Sequence, residues 1–407
     1  MATIINVWGK HCDDIEFGTS GQDEFSMIPH YFREFNNNPY VIVIYAGLTS
    51  GAGGTNFNNV TIASLRKYLI SVSKPDSLIM FDNLHEGNVT PWIDIIYRAL
   101  EGTQIRPDQV YYFSAALDDE IWLTEYCTER DITDKINMYS CNAWEHHMFK
   151  TGEEFTRDIV YQPKVRQKTF LCMNRVLRAH RLALVNLLIE KNLVKDSFYS
   201  FFPTASHSAS NPMSWVLPIL SNNLSHAMFD KIMCLHRDNM TKFPLKLNIE
   251  AADNKNYINS DDLALFDESY FSLVTETYFF ITSPKDEQAI FFTEKIFKPI
   301  LMKHPFLIVS RPHSLQHLRE LQFKTFAPYI DEAYDAIEDS EQRMLAIVNE
   351  VERLSKFTPE QWIDWQNNVK PIVDHNYMIM TNRPKVEYVR SRSNKRTRPL
   401  SKNKEIE

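Results

Sequence analysis

Glycine is scarce in this chain of 407 residues, with ten in all, and cysteine is scarcer, with five. So little glycine, beside a charged fraction of 24%, excludes a collagen-like or low-complexity chain and leaves a globular one. Cys12, Cys127, Cys141, Cys172 and Cys234 are odd in number, widely spaced and never in a C-x-x-C pair. That excludes a disulfide framework and a zinc knuckle and fits a reducing cytoplasm. No apolar run approaches the roughly 18 residues of a membrane span, and the start, Met1 to Trp8, has no basic leader. The expectation is a cytoplasmic protein without a membrane partner. Also missing are a Gly-Lys-Ser/Thr after a glycine-rich loop, an H-E-x-x-H, and any repeat of roughly 20 to 50 residues, which disfavours a P-loop NTPase, a zincin and a solenoid.

What is present is ample core material, 44% hydrophobic and 13% aromatic residues, in a chain long enough for two domains of roughly 150 to 200 residues each. The net charge of −8 is unevenly spread. Residues 383–407 carry nine basic residues against three acids, a net of +6, which leaves −14 on the rest. Such a tail reads as a disordered terminus, or as an arm that holds the protein near a polyanion.

The first half alternates β and α. Residues 3–7, 40–45, 77–81, 109–113 and 135–140 read as strands, with helical patterns at 60–72 and 118–128 and near Pro91 and Trp92. After the second strand, Gly47 to Asn56 holds four of the ten glycines. Gly53 and Gly54 there suit either a close backbone approach to a ligand or a plain connection. Asp82, His85 and Glu86 follow the third strand, where open α/β sheets bind ligands, and are candidates for general-base work; helix capping is the plainer alternative. Glu145 and His147, with Asp82 and His85, suggest a metal-dependent hydrolase as an alternative, though no metal-ligand spacing is present and no metal is expected. His85 and His147 otherwise read as acceptor-side polar lining.

A polar stretch at 161–166 reads as a linker. Beyond it a strand at 168–173 runs into Asn174, Arg175, Val176, Leu177, Arg178, Ala179, His180 and Arg181, ahead of a helix at 182–190. Positive charge opposes the dipole at a helix start, so the three arginines ask either for an anionic ligand or for carboxylate partners. Helical pieces follow at 213–220 and 224–235, and 272–277 reads as a strand with Glu276 near its end. Phe291-Phe292-Thr293-Glu294-Lys295-Ile296-Phe297-Lys298-Pro299-Ile300 comes next. Thr293 is an N-cap, Glu294 could pair with Lys298, and Pro299 predicts a bend or a short distorted turn in place of a regular helix. A strand at 306–309, a helix at 314–321 and two helices between 340 and 373 complete the pattern.

The run Phe292 to Pro299, followed by His304-Pro305-Phe306 and a strand, resembles the Thr-Glu-Lys donor motif of the α-1,3-fucosyltransferase family. It is closer still to glycosyltransferases of large DNA viruses and bacteriophages that share that motif. The resemblance covers roughly residues 168–383 and implies an α/β, GT-B architecture, with two Rossmann-like domains facing a cleft and closed by C-terminal helices. The boundaries expected are 1–162 for the acceptor side, 167–345 for the nucleotide-sugar side, 346–382 for helices packing back across the domains, and 383–407 for the tail. The resemblance further implies an inverting, metal-independent transfer from a nucleotide-diphosphate sugar; the group expected is hexosyl, pentosyl or fucosyl, on a GDP- or UDP-linked donor, with no cofactor. The acceptor expected is a glycan, a protein or a modified base in DNA. By the same resemblance Glu294 binds the ribose and Lys295 the diphosphate, Arg178 or Arg181 is the phosphate-binding arginine, and Glu276 takes the place of a motif glutamate with altered spacing. Thr293, Asn174 and Arg175 complete the expected donor site, and Glu86, with Asp82 second, is the expected base. A non-catalytic nucleotide-sugar-binding protein is the remaining alternative.

Overall fold

A computed structural model of the protein describes residues 6–7, 17–18, 41–45, 62–83, 90–117, 119–141, 144–145, 148, 156–174, 176–202, 213–245, 247, 260–280, 290–382 and 389–390. It is a mixed α/β chain with parallel sheets flanked by helices, of the Rossmann-like kind. The chain divides into two compact units, 1–143 with 384–407, and 144–383.

The first unit contains β1 (Asn6–Val7) and β2 (Phe17–Gly18), paired antiparallel, and then β3 (Val41–Tyr45), α1 (Ile62–Val72), β4 (Leu78–Asn83), α2 (Thr90–Leu100), β5 (Val110–Ser114), α3 (Asp119–Glu129) and β6 (Asn137–Cys141). Strands β3 to β6 lie side by side in sequence order and are parallel. Right-handed crossovers between successive neighbours put all three helices on one face. The core follows from the two periodicities. Ile79 and Phe81, and Val110 and Tyr112, occupy alternate positions of their strands and meet Leu65 and Leu69 of α1, Ile93 and Ile96 of α2, and Trp122 of α3.

The second unit contains β7 (Lys168–Met173), α4 (Ala179–Glu190), β8 (Ser197–Ser200), α5 (Met213–Asn223), α6 (His226–Asn239), α7 (Ser260–Asp267), β9 (Ser269–Thr275), α8 (Glu294–Leu301), β10 (Phe306–Val309), α9 (Ser314–Glu320), α10 (Ser340–Ser355) and α11 (Pro359–Asn382). Its sheet has the order β10-β9-β7-β8, all parallel. All seven residues of β9 and all four of β10 are buried, as expected of parallel strands covered on both faces. From β7 the chain moves one way to β8, and from β9 the other way to β10, so right-handed crossovers place α4 and α8 on opposite faces. Helix α4 packs with α5, α6 and α10, and α8 with α11. The reversal between β7 and β9 is a topological switch point, the place where open α/β sheets form a crevice at their carboxyl ends.

Residues 161–166, which read as a linker from composition, are fixed within the second unit. Gln366 of α11 donates to the Lys164 carbonyl at 2.7 Å and accepts from Arg166 Nε at 2.9 Å, and the Arg166 backbone N–H donates to Tyr270 Oη at 3.0 Å. Trp362 stacks on Tyr270 at 4.0 Å and 7° beside them. Of the tail expected to be disordered, Val389–Arg390 forms β11, antiparallel to Cys141 and Ser140 at the open edge of the first sheet. An unpaired edge offers backbone partners to any extended segment, and these two residues take them. Among the described residues no helix is long and apolar enough to cross a membrane.

Candidate functional site

The carboxyl ends of β7 and β9 bring together the charged groups of the second unit. Helix α4 begins three residues earlier than its apolar pattern suggested, which makes Arg178 its N-cap, in extended backbone with φ −137° and ψ 152°, and sets His180 and Arg181 in the first turn. The two arginines then separate in role. Arg181 turns inward and is 3% exposed; its guanidinium donates to the carbonyls of Val176 at 2.9 Å and Thr275 at 3.1 Å. Its Nε is buried with no acceptor among the described residues. Arg178 is half-buried, and its side chain does not cap the helix.

Asn174 lies beneath this turn, 1% exposed. Its amide donates to Cys172 Sγ and to Tyr199 Oη, each at 3.2 Å, and its carbonyl oxygen accepts from the Thr275 hydroxyl. Expected at the donor, Asn174 instead joins the ends of β7, β8 and β9 from below.

Glu276 follows β9 directly and is fully buried. The strand ends one residue before it, two residues earlier than the sequence pattern suggested. One carboxylate oxygen accepts from the Thr293 backbone N–H at 3.2 Å, and the other from the Thr293 hydroxyl at 2.7 Å and the Thr277 N–H at 3.3 Å. Burial raises its pKa, while Lys295 and the Thr293 hydroxyl oppose the shift. Both carboxylate oxygens accept from neighbouring protein groups, and with its burial this makes Glu276 a support of the site.

Thr293 is the N-cap of α8, as its sequence position predicts, and its oxygen accepts from the Lys295 backbone N–H at 3.4 Å and from Lys295 Nζ at 2.9 Å. Lys295 Nζ also lies 2.9 Å from Glu294 Oε1, and both side chains are 25% exposed. Burial works to raise the Glu294 carboxyl, but the Lys295 charge and hydrogen bonds from Lys295 and its own backbone N–H outweigh it and hold the group below its ordinary value. Glu294 is therefore an acceptor-only group at neutral pH, suited to a diol.

The expected i,i+4 pair of Glu294 with Lys298 does not form. Lys298 pairs with Asp262 of α7, which is buried, and Glu294 keeps the nearer Lys295. Pro299 lies inside α8, which ends two residues later at Leu301. Ile296, Phe297, Ile300 and Leu301 are all buried, at about 1.5–3 kcal/mol apiece. Their burial outweighs the roughly 3 kcal/mol of an interior proline.

His180 reports the local field. Burial comes first among the causes that carry its pKa well below the ordinary value, and Arg181, Arg178 and Lys295 all push the same way. Three cations thus crowd one buried, neutral ring. Arg181 itself is pushed down to about 10 by burial and by Arg178. The site gathers positive charge at two helix starts, where backbone N–H groups and dipoles also favour an anion.

The other candidates are placed less fully. Glu86, His85, Gly53, Gly54, His147 and Arg175 lie outside the described residues. Asp82 is the penultimate residue of β4, in register with Tyr45 and Phe113, so it does stand at the carboxyl end of the first sheet. Within the alternative metal cluster, Asp82 belongs to the first unit and the buried Glu145 to the second. Sequence reasoning missed His180 as a joint between elements and Asp262 as the partner of Lys298; neither pairing has a local signal. No protein-family model matches the chain, and no curated protein matches it.

Proposed function

We propose that the protein is an inverting, metal-independent glycosyltransferase of GT-B type, which moves a sugar from a GDP- or UDP-linked donor to an acceptor hydroxyl on a glycan or a modified DNA base. The observation that carries this reading is the meeting of Arg178, Lys295 and the starts of α4 and α8 at the switch point between β7 and β9.

In this proposal the diphosphate lies against Arg178, Lys295 and the first-turn N–H groups, and the ionised Glu294 accepts hydrogen bonds from the ribose hydroxyls. A carboxylate of the first unit, Glu86 or next Asp82, takes the acceptor's proton as its oxygen attacks the anomeric carbon in line. The bond from that carbon to the phosphate oxygen breaks, and the electron pair leaves with the nucleoside diphosphate. The negative charge gathering on the leaving group meets cations already in place, so Lys295 and Arg178 bind the transition state more strongly than the donor. The basic residues after Arg383 suit a polyanionic acceptor.

A thermal-shift titration with GDP, UDP and their sugars tests the reading. A ligand present at a hundred times its dissociation constant adds about 2.7 kcal/mol of apparent stability. Stabilisation by one nucleoside diphosphate class is expected, and no shift with any of them overturns the proposal. Transfer should persist in excess chelator, and Glu86→Gln should abolish transfer while nucleotide binding stays within about twofold. Binding without any transfer or donor hydrolysis would leave a nucleotide-sugar-binding protein instead.

A further inference from the structure

Hydrogen bonds have direction, and around Thr293 the direction is set from below. The Thr293 hydroxyl donates to Glu276 at 2.7 Å, and the Thr293 N–H donates to the other oxygen of the same carboxylate at 3.2 Å. With its only proton committed downward, the Thr293 oxygen has just its lone pairs to offer upward. Both upward contacts come from donors, Lys295 N at 3.4 Å and Lys295 Nζ at 2.9 Å. The order of the chain Lys295, Thr293, Glu276 is therefore donor, relay, final acceptor. Glu276 is fully buried, and its carboxyl group receives three donors, two of them from Thr293.

We propose that Glu276 is a positioning residue for the phosphate-binding lysine: acting through Thr293, it fixes the polarity of the hydrogen bond that holds the Lys295 ammonium at the start of α8, ready for the diphosphate of a nucleotide sugar. This rests on the functional reading above. Without the carboxylate, the Thr293 hydroxyl is free to rotate its proton toward the ammonium and repel it. Lys295 would then fall back on Glu294 alone, the group assigned to the ribose.

The substitution Glu276→Gln tests the polarity with almost no change of shape. An amide cannot accept from both the Thr293 N–H and the Thr293 hydroxyl through separate oxygens, so one contact must reverse. Dissociation constants for inorganic pyrophosphate, GDP and UDP are to be measured by calorimetry on wild type, Glu276→Gln, Lys295→Met and the double variant. A loss of about tenfold or more is expected for Glu276→Gln, falling to less than twofold when Lys295 is already methionine, because coupled residues are not additive. Equal losses in both backgrounds, or none in wild type, overturn the proposal. Should Glu276→Gln fail to fold, Thr293→Val should reproduce the loss and Thr293→Ser should restore wild-type binding; a serine variant as weak as the valine one also overturns it. Pyrophosphate binding by a wild type that ignores GDP and UDP would sink the nucleotide reading while still deciding the relay. No binding of any of the three sinks both.

Discussion

His180 Nε2 lies 3.0 Å from the backbone carbonyl oxygen of Glu276, so the first turn of α4 is fastened to the residue that follows β9. The ring also stacks on Phe279 at 5.8 Å and 25°. Glu276 thus reaches two helix starts at once, α4 through its carbonyl and α8 through its carboxylate. Since the carbonyl accepts, Nε2 carries the proton, and the ring is neutral beside three cations. His180→Phe keeps the stacking but leaves that carbonyl buried and unpaired, at about 1–3 kcal/mol. Urea unfolding should show a lower midpoint with an unchanged slope, whereas His180→Gln, which can still donate, should recover most of the loss.

A second buried histidine predicts acid sensitivity. His304 is pushed down to about 3 by burial, against the favourable contact with the Ser269 carbonyl at 2.8 Å; Arg166 adds to the depression. Its Nε2 donates to that carbonyl, and its Nδ1 accepts from Ser272 Oγ at 2.8 Å. The folded pKa is below the unfolded one, near 6.5, so its stabilising contribution is complete above 6.5 and drains as pH falls toward 3. At pH 5 the loss from this residue alone is about 2 kcal/mol. His180 is shifted in the same direction and adds to it. Chemical denaturation at pH 7.5 and pH 5 should show the difference, and a His304→Gln variant should show a smaller one.

The two arginines at the turn should part company under mutation. Arg181→Met strands the carbonyls of Val176 and Thr275 and should cost roughly 2–3 kcal/mol of stability. Arg178→Ala removes a half-buried group that caps nothing and should shift stability by less than about 0.5 kcal/mol. Its effect belongs to binding, where losing one charged hydrogen-bond donor weakens diphosphate affinity by about tenfold or more. Melting curves and calorimetry on the same two proteins distinguish the roles, and a destabilised Arg178→Ala would contradict them.

That division shows where sequence reading stops. The strands Lys168–Met173 and Phe306–Val309 hold the short apolar runs Phe170 to Met173 and Phe306 to Val309, and their bounds were legible. The misfit of three arginines before a helix was legible too, as was the Thr293 cap. Which arginine faces inward was not, because it depends on carbonyls at Val176 and Thr275 that are far apart in sequence. Helix α7 went unread within a stretch of mixed character, and with it the Asp262 partner that draws Lys298 away from Glu294. The local cost of Pro299 was legible, whereas the burial of Ile296, Phe297, Ile300 and Leu301 that outweighs it was not.

The scarcity of glycine leaves its own mark on the helix ends. Helices α3, α4, α8 and α9 are followed by Asp131, Asn192, Lys303 and Gln322 in left-handed backbone, with φ of 54°, 59°, 51° and 69°. After α9, the Gln322 N–H donates to the Arg319 carbonyl at 2.9 Å and the Phe323 N–H to the Leu318 carbonyl at 3.0 Å, which is the bond pair of a Schellman close. Phe323 and Leu318 are both buried, supplying the apolar contact that goes with it. A side chain at a left-handed position costs about 1–2 kcal/mol. Glycine removes that cost but loosens the unfolded chain by about 0.4–1 kcal/mol. Gln322→Gly should therefore gain up to about 1 kcal/mol, since Gln322 is exposed and both of its hydrogen bonds, to Arg319 and from His375 Nε2, are made by backbone that glycine keeps. Lys303→Gly at the end of α8 should do the opposite. Lys303 Nζ donates to the Ile159 carbonyl at 2.6 Å and lies 4.3 Å from the centre of the Tyr377 ring, so the substitution removes a charged hydrogen bond and a cation–π contact together. These are worth about 2–4 kcal/mol, more than the backbone relief returns. Urea melts of the two variants should move in opposite directions from wild type.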